Sequence, residues 1–172
     1  MKFFCSILIL FFCSCNSNQS EKSISTDKLG LDTASETYSV TGSDISMNLA
    51  IEKAKKTISE FDIALESNNP LYTDFAVKKR FNTKDDGGEH MWIAGIKIVN
   101  GYYHGFVNND AEITTEVKYG DTVIVKKSEI TDWMYLDNNT LRGGYTIREI
   151  RSKMTKEERE QMDANSSYKI ED

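Results

Sequence analysis

Between Met47 and Leu65 the apolar residues Met47, Ala50, Ile51, Ala54, Ile58, Phe61 and Leu65 recur at steps of three and four. That spacing puts one apolar stripe on one face of a helix, with Lys53, Lys55, Lys56, Glu60 and Glu66 mostly on the other. Ser43 or Asp44 can cap its start. Asn68-Asn69-Pro70, with the chain's single proline, ends it near Ser67. The period then drops to two. Phe75, Val77, Lys79 and Phe81 alternate with Ala76, Lys78 and Arg80, which predicts a strand. Lys84 to Gly88 reads as a loop and Glu89 to Val99 as a second strand. Asn100-Gly101 follows at once, a dipeptide suited to the positive φ of a hairpin turn, so Tyr102 to Val107 should return alongside.

Asn108 to Thr115 carries no period. Glu116 to Tyr119 reads as a short extension and Gly120-Asp121 as a turn. Thr122 to Lys126 and Ile130 to Leu136 read as strands. A turn at Asn138-Asn139 should lay Arg142 to Tyr145 beside the second of them. Thr146-Ile147-Arg148-Glu149 and Thr155-Lys156-Glu157-Glu158 both have the form of a capping box, predicting helices near 147–153 and 156–163. The expected fold is α+β: a long N-terminal amphipathic helix packed on a curved antiparallel sheet, with short C-terminal helices. It should span 44–165, with 166–172 as a tail.

The first residues have a different character. Lys2 precedes an apolar run, Phe3 to Phe12, about ten residues long against the roughly 20 that a membrane span needs. Small Ser14 then precedes Cys15, whereas bulky Phe12 precedes Cys13, so Cys15 is the better lipidation candidate. Residues 1–14 thus read as a lipoprotein signal peptide, to be set aside from the fold. Residues 15–43, rich in Ser, Thr, Asn and Asp, read as a flexible tether. The expected location is the bacterial cell envelope, lipid-anchored, periplasmic or on the outer surface. Cys5, Cys13 and Cys15 all lie in this leader, so the domain itself can form no disulfide, thiolate metal site or cysteine nucleophile.

A formal net charge of -6 argues against nucleic acid or an anionic headgroup surface as the main partner. Glu89, His90 and His104 invite a metal or acid–base reading. If Asn100-Gly101 is a two-residue turn, Val99 faces Tyr102, Ile98 faces Tyr103, His104 faces Lys97, Ile96 faces Gly105 and Ala94 faces Val107. The face of Trp92, Ala94, Ile96 and Ile98 should then be core, with His90 on it. His104 should point the other way, which disfavours a two-histidine metal site. Trp92, Trp133, Tyr102, Tyr103, Tyr135 and Tyr145 suit either core or an aromatic binding wall. Gly143-Gly144 before a capped helix could expose N–H groups to an anion, and equally could serve only as a turn. Gly-x-Ser-x-Gly does not occur.

Six pieces of the chain occur in a recognisable order. They are Phe75-Ala-Val-Lys78, Glu89-His-Met-Trp92, Gly105-Phe-Val-Asn108, Gly120-Asp121, Ile130-Thr-Asp132-Trp133-Met-Tyr135 and Gly143-Gly144-Tyr145-Thr146. In these the chain resembles the YegJ-like bacterial family, domain of unknown function 2314, over roughly residues 47–155. Asn109 departs from the pattern, where a proline would follow Asn108. The resemblance implies a domain boundary and no mechanism.

The resulting expectation is a non-catalytic domain, without cofactor or metal, that binds an envelope protein or a small ligand. Its site would draw on Glu89, His90, Trp92, Asn108, Asp132, Trp133, Tyr135, Gly143, Gly144 and Tyr145. An aromatic surface of Trp133 and Tyr135 would lie beside the glycine pair, with Glu89 and His90 as polar rim. The competing expectation is a small envelope hydrolase using Glu89, His90 and Asp132, which requires those side chains to converge in one cleft.

Overall fold

The computed structural model describes residues 44–171. The leader, the tether and Cys15 lie outside the described residues. Helix α1 spans Ile45–Glu66 and is capped by Asp44, whose carboxylate accepts from the Met47 N–H at 3.1 Å. Met47, Ala54, Ile58 and Phe61 of the apolar stripe are buried, together with Ala64.

Six antiparallel strands follow: β1 Tyr72–Asn82, β2 Gly88–Val99, β3 Tyr102–Val107, β4 Thr122–Val125, β5 Ile130–Asp137 and β6 Thr140–Gly143. They form one sheet in the order β4-β3-β2-β1-β5-β6. Residues 116–119 stay irregular, and a 3-10 turn at Lys127–Glu129 leads into β5. The turn at Asn138 and Asn139, both at positive φ, brings β6 back along β5, pairing Tyr135 with Arg142. Two helices close the chain, α2 Tyr145–Lys153 and α3 Lys156–Asn165. Thr155 and Glu158 form the expected capping box of α3. The one expected at Thr146 is replaced by another device, described below. Residues 166–171, read from the sequence as a tail, run along β6: Lys169 pairs with Thr140 and Tyr168 is buried.

The sheet has two covered faces. Helix α1 lies on one, over Val77, Phe81, Met91, Ile93, Ile96, Tyr103 and Trp133. On the other, Ile147, Met162, Tyr168 and Ile170 cover Ala76, Trp92, Met134, Leu136 and Leu141.

The hairpin register corrects one expectation. Val99–Tyr102, Ile98–Tyr103 and Lys97–His104 pair as expected, but beyond them Ala94 pairs with Phe106 and Ile93 with Val107. A bulge at Gly95 (φ +64) absorbs one residue and exchanges the two faces of β2. A side chain there would strike the Phe106 ring, so the bulge needs glycine both for its φ and for that contact. Ile96 and Ile98 therefore face α1, whereas Trp92 and Ala94 face away. His90 and His104 fall on the same outer face, not on opposite ones. His104 sits opposite Lys97, which puts the two on the order of 20 Å apart at about 3.3 Å per residue along β2.

Candidate functional site

Alternation along β1 places Ala76, Lys78 and Arg80 on the face away from α1. Lys78 pairs with Trp92 on one side and with Asp132 on the other. Past the end of β3, the Asn108 N–H donates to the Trp92 carbonyl at 2.8 Å. Asp132, Lys78, Trp92 and Asn108 thus form one row across β5, β1 and β2 to the residue after β3. Arg80 and His90 pair one step along the same face.

Asp132 is fully buried, and its carboxylate accepts four hydrogen bonds. They come from the N–H groups of Trp133 (2.8 Å), Tyr145 (3.1 Å) and Thr146 (2.8 Å), and from the Thr146 hydroxyl (2.6 Å). Two of these N–H groups open helix α2, so Asp132 caps that helix from a neighbouring strand. Burial pushes its pKa up, while Lys78 and Thr146 oppose the shift. The N–H groups that follow the Gly143-Gly144 turn thus meet the protein's own carboxylate. Both glycines are needed to bring the helix there. A side chain on Gly143 (φ +70) would collide with Trp133, and Gly144 (φ +61) turns the chain in the left-handed region.

The Lys78 ammonium donates to the Thr146 hydroxyl at 2.9 Å and stands 4.6 Å from the centre of the Trp92 ring. Thr146 donates its own O–H to Asp132, so the two charges are linked through a hydroxyl. Burial lowers the Lys78 pKa, and Asp132 works against that shift. His90 lies within reach of Thr131, Nδ1 to Oγ1 at 2.9 Å. The Thr131 hydroxyl also reaches the Lys78 carbonyl at 3.2 Å; when it donates there, it accepts from an Nδ1–H tautomer of His90, in which Nε2 carries no proton. Burial, then the charges of Lys78 and Arg80, push its pKa down to about 4. The Arg80 guanidinium lies across Gly88 and bonds the Asn82 side chain (3.0 Å) and the Gly87 carbonyl.

The structure does not assemble the other expected site residues with this row. Trp133, 2% exposed, sits under α1 and donates from Nε1 to the Ala54 carbonyl at 3.0 Å. Tyr135 stacks on it at 6.2 Å between ring centres, Tyr145 meets it edge-on at 5.7 Å, and Phe61 completes the group at 6.0 Å. The expected aromatic surface is therefore a core column, because beyond the irregularity before Asp132 β5 turns Trp133 and Tyr135 toward α1. Glu89 also faces α1, buried, and accepts from the backbone N–H groups of Glu112, Ile113 and Thr114 at 2.8, 3.0 and 2.8 Å. It anchors the irregular segment after β3. Glu89 and Asp132 thus lie on opposite sides of the sheet, and their oxygens are committed to backbone donors. The three side chains of a hydrolytic site do not converge. Asn108 is buried in the row, with no hydrogen bond to its side-chain oxygen. Among the described residues no group of three or more His, Cys, Asp or Glu side chains is placed to hold a metal.

Lys78, Arg80 and Thr146 were not singled out as site residues, although Lys78 and Thr146 lie within the recognised pieces. One signal was available. Asp132 is the only charge between Ile130 and Leu136, and a lone acid in a buried strand needs donors or a cation beside it.

The family described as "Uncharacterized protein conserved in bacteria (DUF2314)" matches residues 44–169. The uncharacterized protein YegJ of Escherichia coli strain K12 is 36% identical over 119 residues, 69% of this chain and 75% of that protein. A Neisseria meningitidis serogroup B protein, provisionally described as an ankyrin repeat protein, is 37% identical over 134 residues, 74% of this chain. The chain spans about half (53%) of that Neisseria relative's length. No solved structure matches.

Proposed function

The chain belongs to the bacterial DUF2314 family, and from that premise we propose that it is an envelope lipoprotein, lipid-anchored at Cys15, whose domain binds a small ligand or an envelope protein without catalysis. The binding surface is the outer face of β1 and β2, formed by Lys78, Arg80, His90 and Trp92. One observation carries the binding reading. The acids that hydrolysis would need are spent on backbone donors, whereas the cations of the outer face keep donors to spare. The address rests on the leader: Lys2, the run Phe3 to Phe12, and Ser14 before Cys15. The long N-terminal helix and the curvature of the sheet would hold this face rigid for recognition.

Two measurements test the reading. Labelled fatty acid should enter the wild-type protein in cells and should not enter Cys15→Ser; label retained by the mutant refutes the anchor. A photo-crosslinker placed at position 80 should capture a ligand or protein in cells, and capture should fall with Lys78→Met. Absence of any crosslink from that position refutes the binding surface.

A further inference from the structure

The β1 part of the outer face carries two cations, Lys78 and Arg80. Among the described residues, neither Lys78 nor Arg80 has a carboxylate within ion-pair distance. The nearest acid to Lys78 is Asp132, whose oxygens already serve four donors and reach Lys78 only through Thr146. Lys78 has three N–H donors, one of them given to Thr146, and Arg80 has five, given only in part to Asn82 and Gly87. Their heads lean apart. Lys78 inclines toward Trp92 and Thr146, and Arg80 toward Gly88. His90, opposite Arg80 and next to Trp92 on β2, lies between them. The charged groups facing its ring are Lys78 and Arg80 of β1, and Thr131 of β5 faces it as a neutral partner.

A protein of net charge -6 has thus gathered two cations and an imidazole on one patch where, among the described residues, Asp132 faces Lys78 only through Thr146 and no carboxylate pairs with Arg80. Such a group gains most from a ligand that supplies the missing acceptors and the missing negative charge together. We propose that Lys78, Arg80 and His90 form a binding site for a small oxyanion, a carboxylate or a phosphate, with Trp92 packed beneath the Lys78 ammonium. The inference rests on the binding reading above and gives it a ligand class. The anion accepts from the unspent Lys78 and Arg80 donors. It also reverses the unfavourable field at His90, so that Nε2 takes up a proton and becomes a third donor.

The test uses the full chain in neutral detergent, titrated with inorganic phosphate and with citrate. Binding is followed calorimetrically, by tryptophan fluorescence, and by the His90 ring resonances. Either anion should bind, and the His90 resonances should move toward the protonated form. Arg80→Gln, at an exposed position, and Lys78→Met should each weaken binding about tenfold or more, the worth of one charge-assisted hydrogen bond. A headgroup source is separated from a free one with vesicles. Retention on phosphatidylglycerol and not on phosphatidylcholine, lost in Arg80→Gln, would assign the oxyanion to lipid and support the site. No binding of phosphate, citrate or anionic vesicles overturns the proposal, as does binding that both variants leave unchanged. If the crosslinker at position 80 still captures a partner in that case, the binding reading stands and only the oxyanion class falls.

Discussion

The two faces of the sheet use the same strands for different purposes. Toward α1, β1, β2 and β5 present mainly Val77, Phe81, Met91, Ile93 and Trp133, and the buried Glu89 on this side is bound by three backbone N–H groups. Away from α1, the same strands present Lys78, Arg80, His90 and Asp132 beside Trp92 and Met134. The first face gains stability from apolar area and aromatic contact. The second spends some of that gain on desolvating charge, and secures it by giving each buried charge a hydrogen-bonded partner. Asp132 belongs to this second economy. It fixes α2 over the sheet edge, and α2 supplies the Thr146 hydroxyl that holds Lys78.

This contrast can be broken at three points. The largest effect should come from the α1 face. Trp133→Ala removes a fully packed ring and its bond to Ala54, and should cost about 3–5 kcal/mol, read as a lowered denaturant midpoint. A cost below about 1 kcal/mol would show that the aromatic column is not the core. Asp132→Ala should cost a similar or slightly smaller amount, about 3 kcal/mol or more, since it strands the α2 N–H groups and leaves Lys78 uncompensated. Its distinctive sign is local. Amide exchange should accelerate in α2 ahead of α1, and uniform acceleration would contradict a capping role.

The smallest effect is pH-dependent. The His90 pKa is held near 4 in the folded protein against an ordinary 6.5. As pH falls through 6.5, the unfolded chain takes up this proton first. The stability contributed by neutral His90 is therefore full above about pH 6.5 and is lost progressively toward pH 4. That loss amounts to about 2–3 kcal/mol, and His90→Gln should flatten the denaturant midpoint across this window. An unchanged slope in the mutant would show that His90 is not held neutral.

Much of the fold was legible because local rules and tertiary outcome agree. The stripe from Met47 to Leu65 became α1, Asn100-Gly101 became the hairpin turn, and Asn138-Asn139 returned the chain along β5. The sides of β1 were read correctly from alternation alone. The face assignment of β2 failed at one residue. Period-two reasoning assumes an unbroken pleat, and glycine inside a strand is where that assumption is weakest. The roles of the acids were also out of reach. Glu89 and Asp132 look alike in sequence, each a carboxylate beside a tryptophan-containing motif. Each was committed by backbone N–H groups from a distant segment, residues 112–114 for one and 145–146 for the other.

By itself the sequence determined where helix and strands lie, because side-chain period and turn chemistry are local properties of the chain. It also determined which residues would be rare enough to matter, among them Asp132, Trp92 and the glycine pair. Only the tertiary structure decided which of these face each other. A bulge at Gly95 set the sides of β2, the sheet order brought β5 next to β1, and α2 delivered its N–H groups to Asp132. The physical reason is that alternation fixes a side chain's direction only relative to its neighbours in the strand. Which partner it meets depends on pairing between strands distant in sequence, and a single inserted residue reverses the answer.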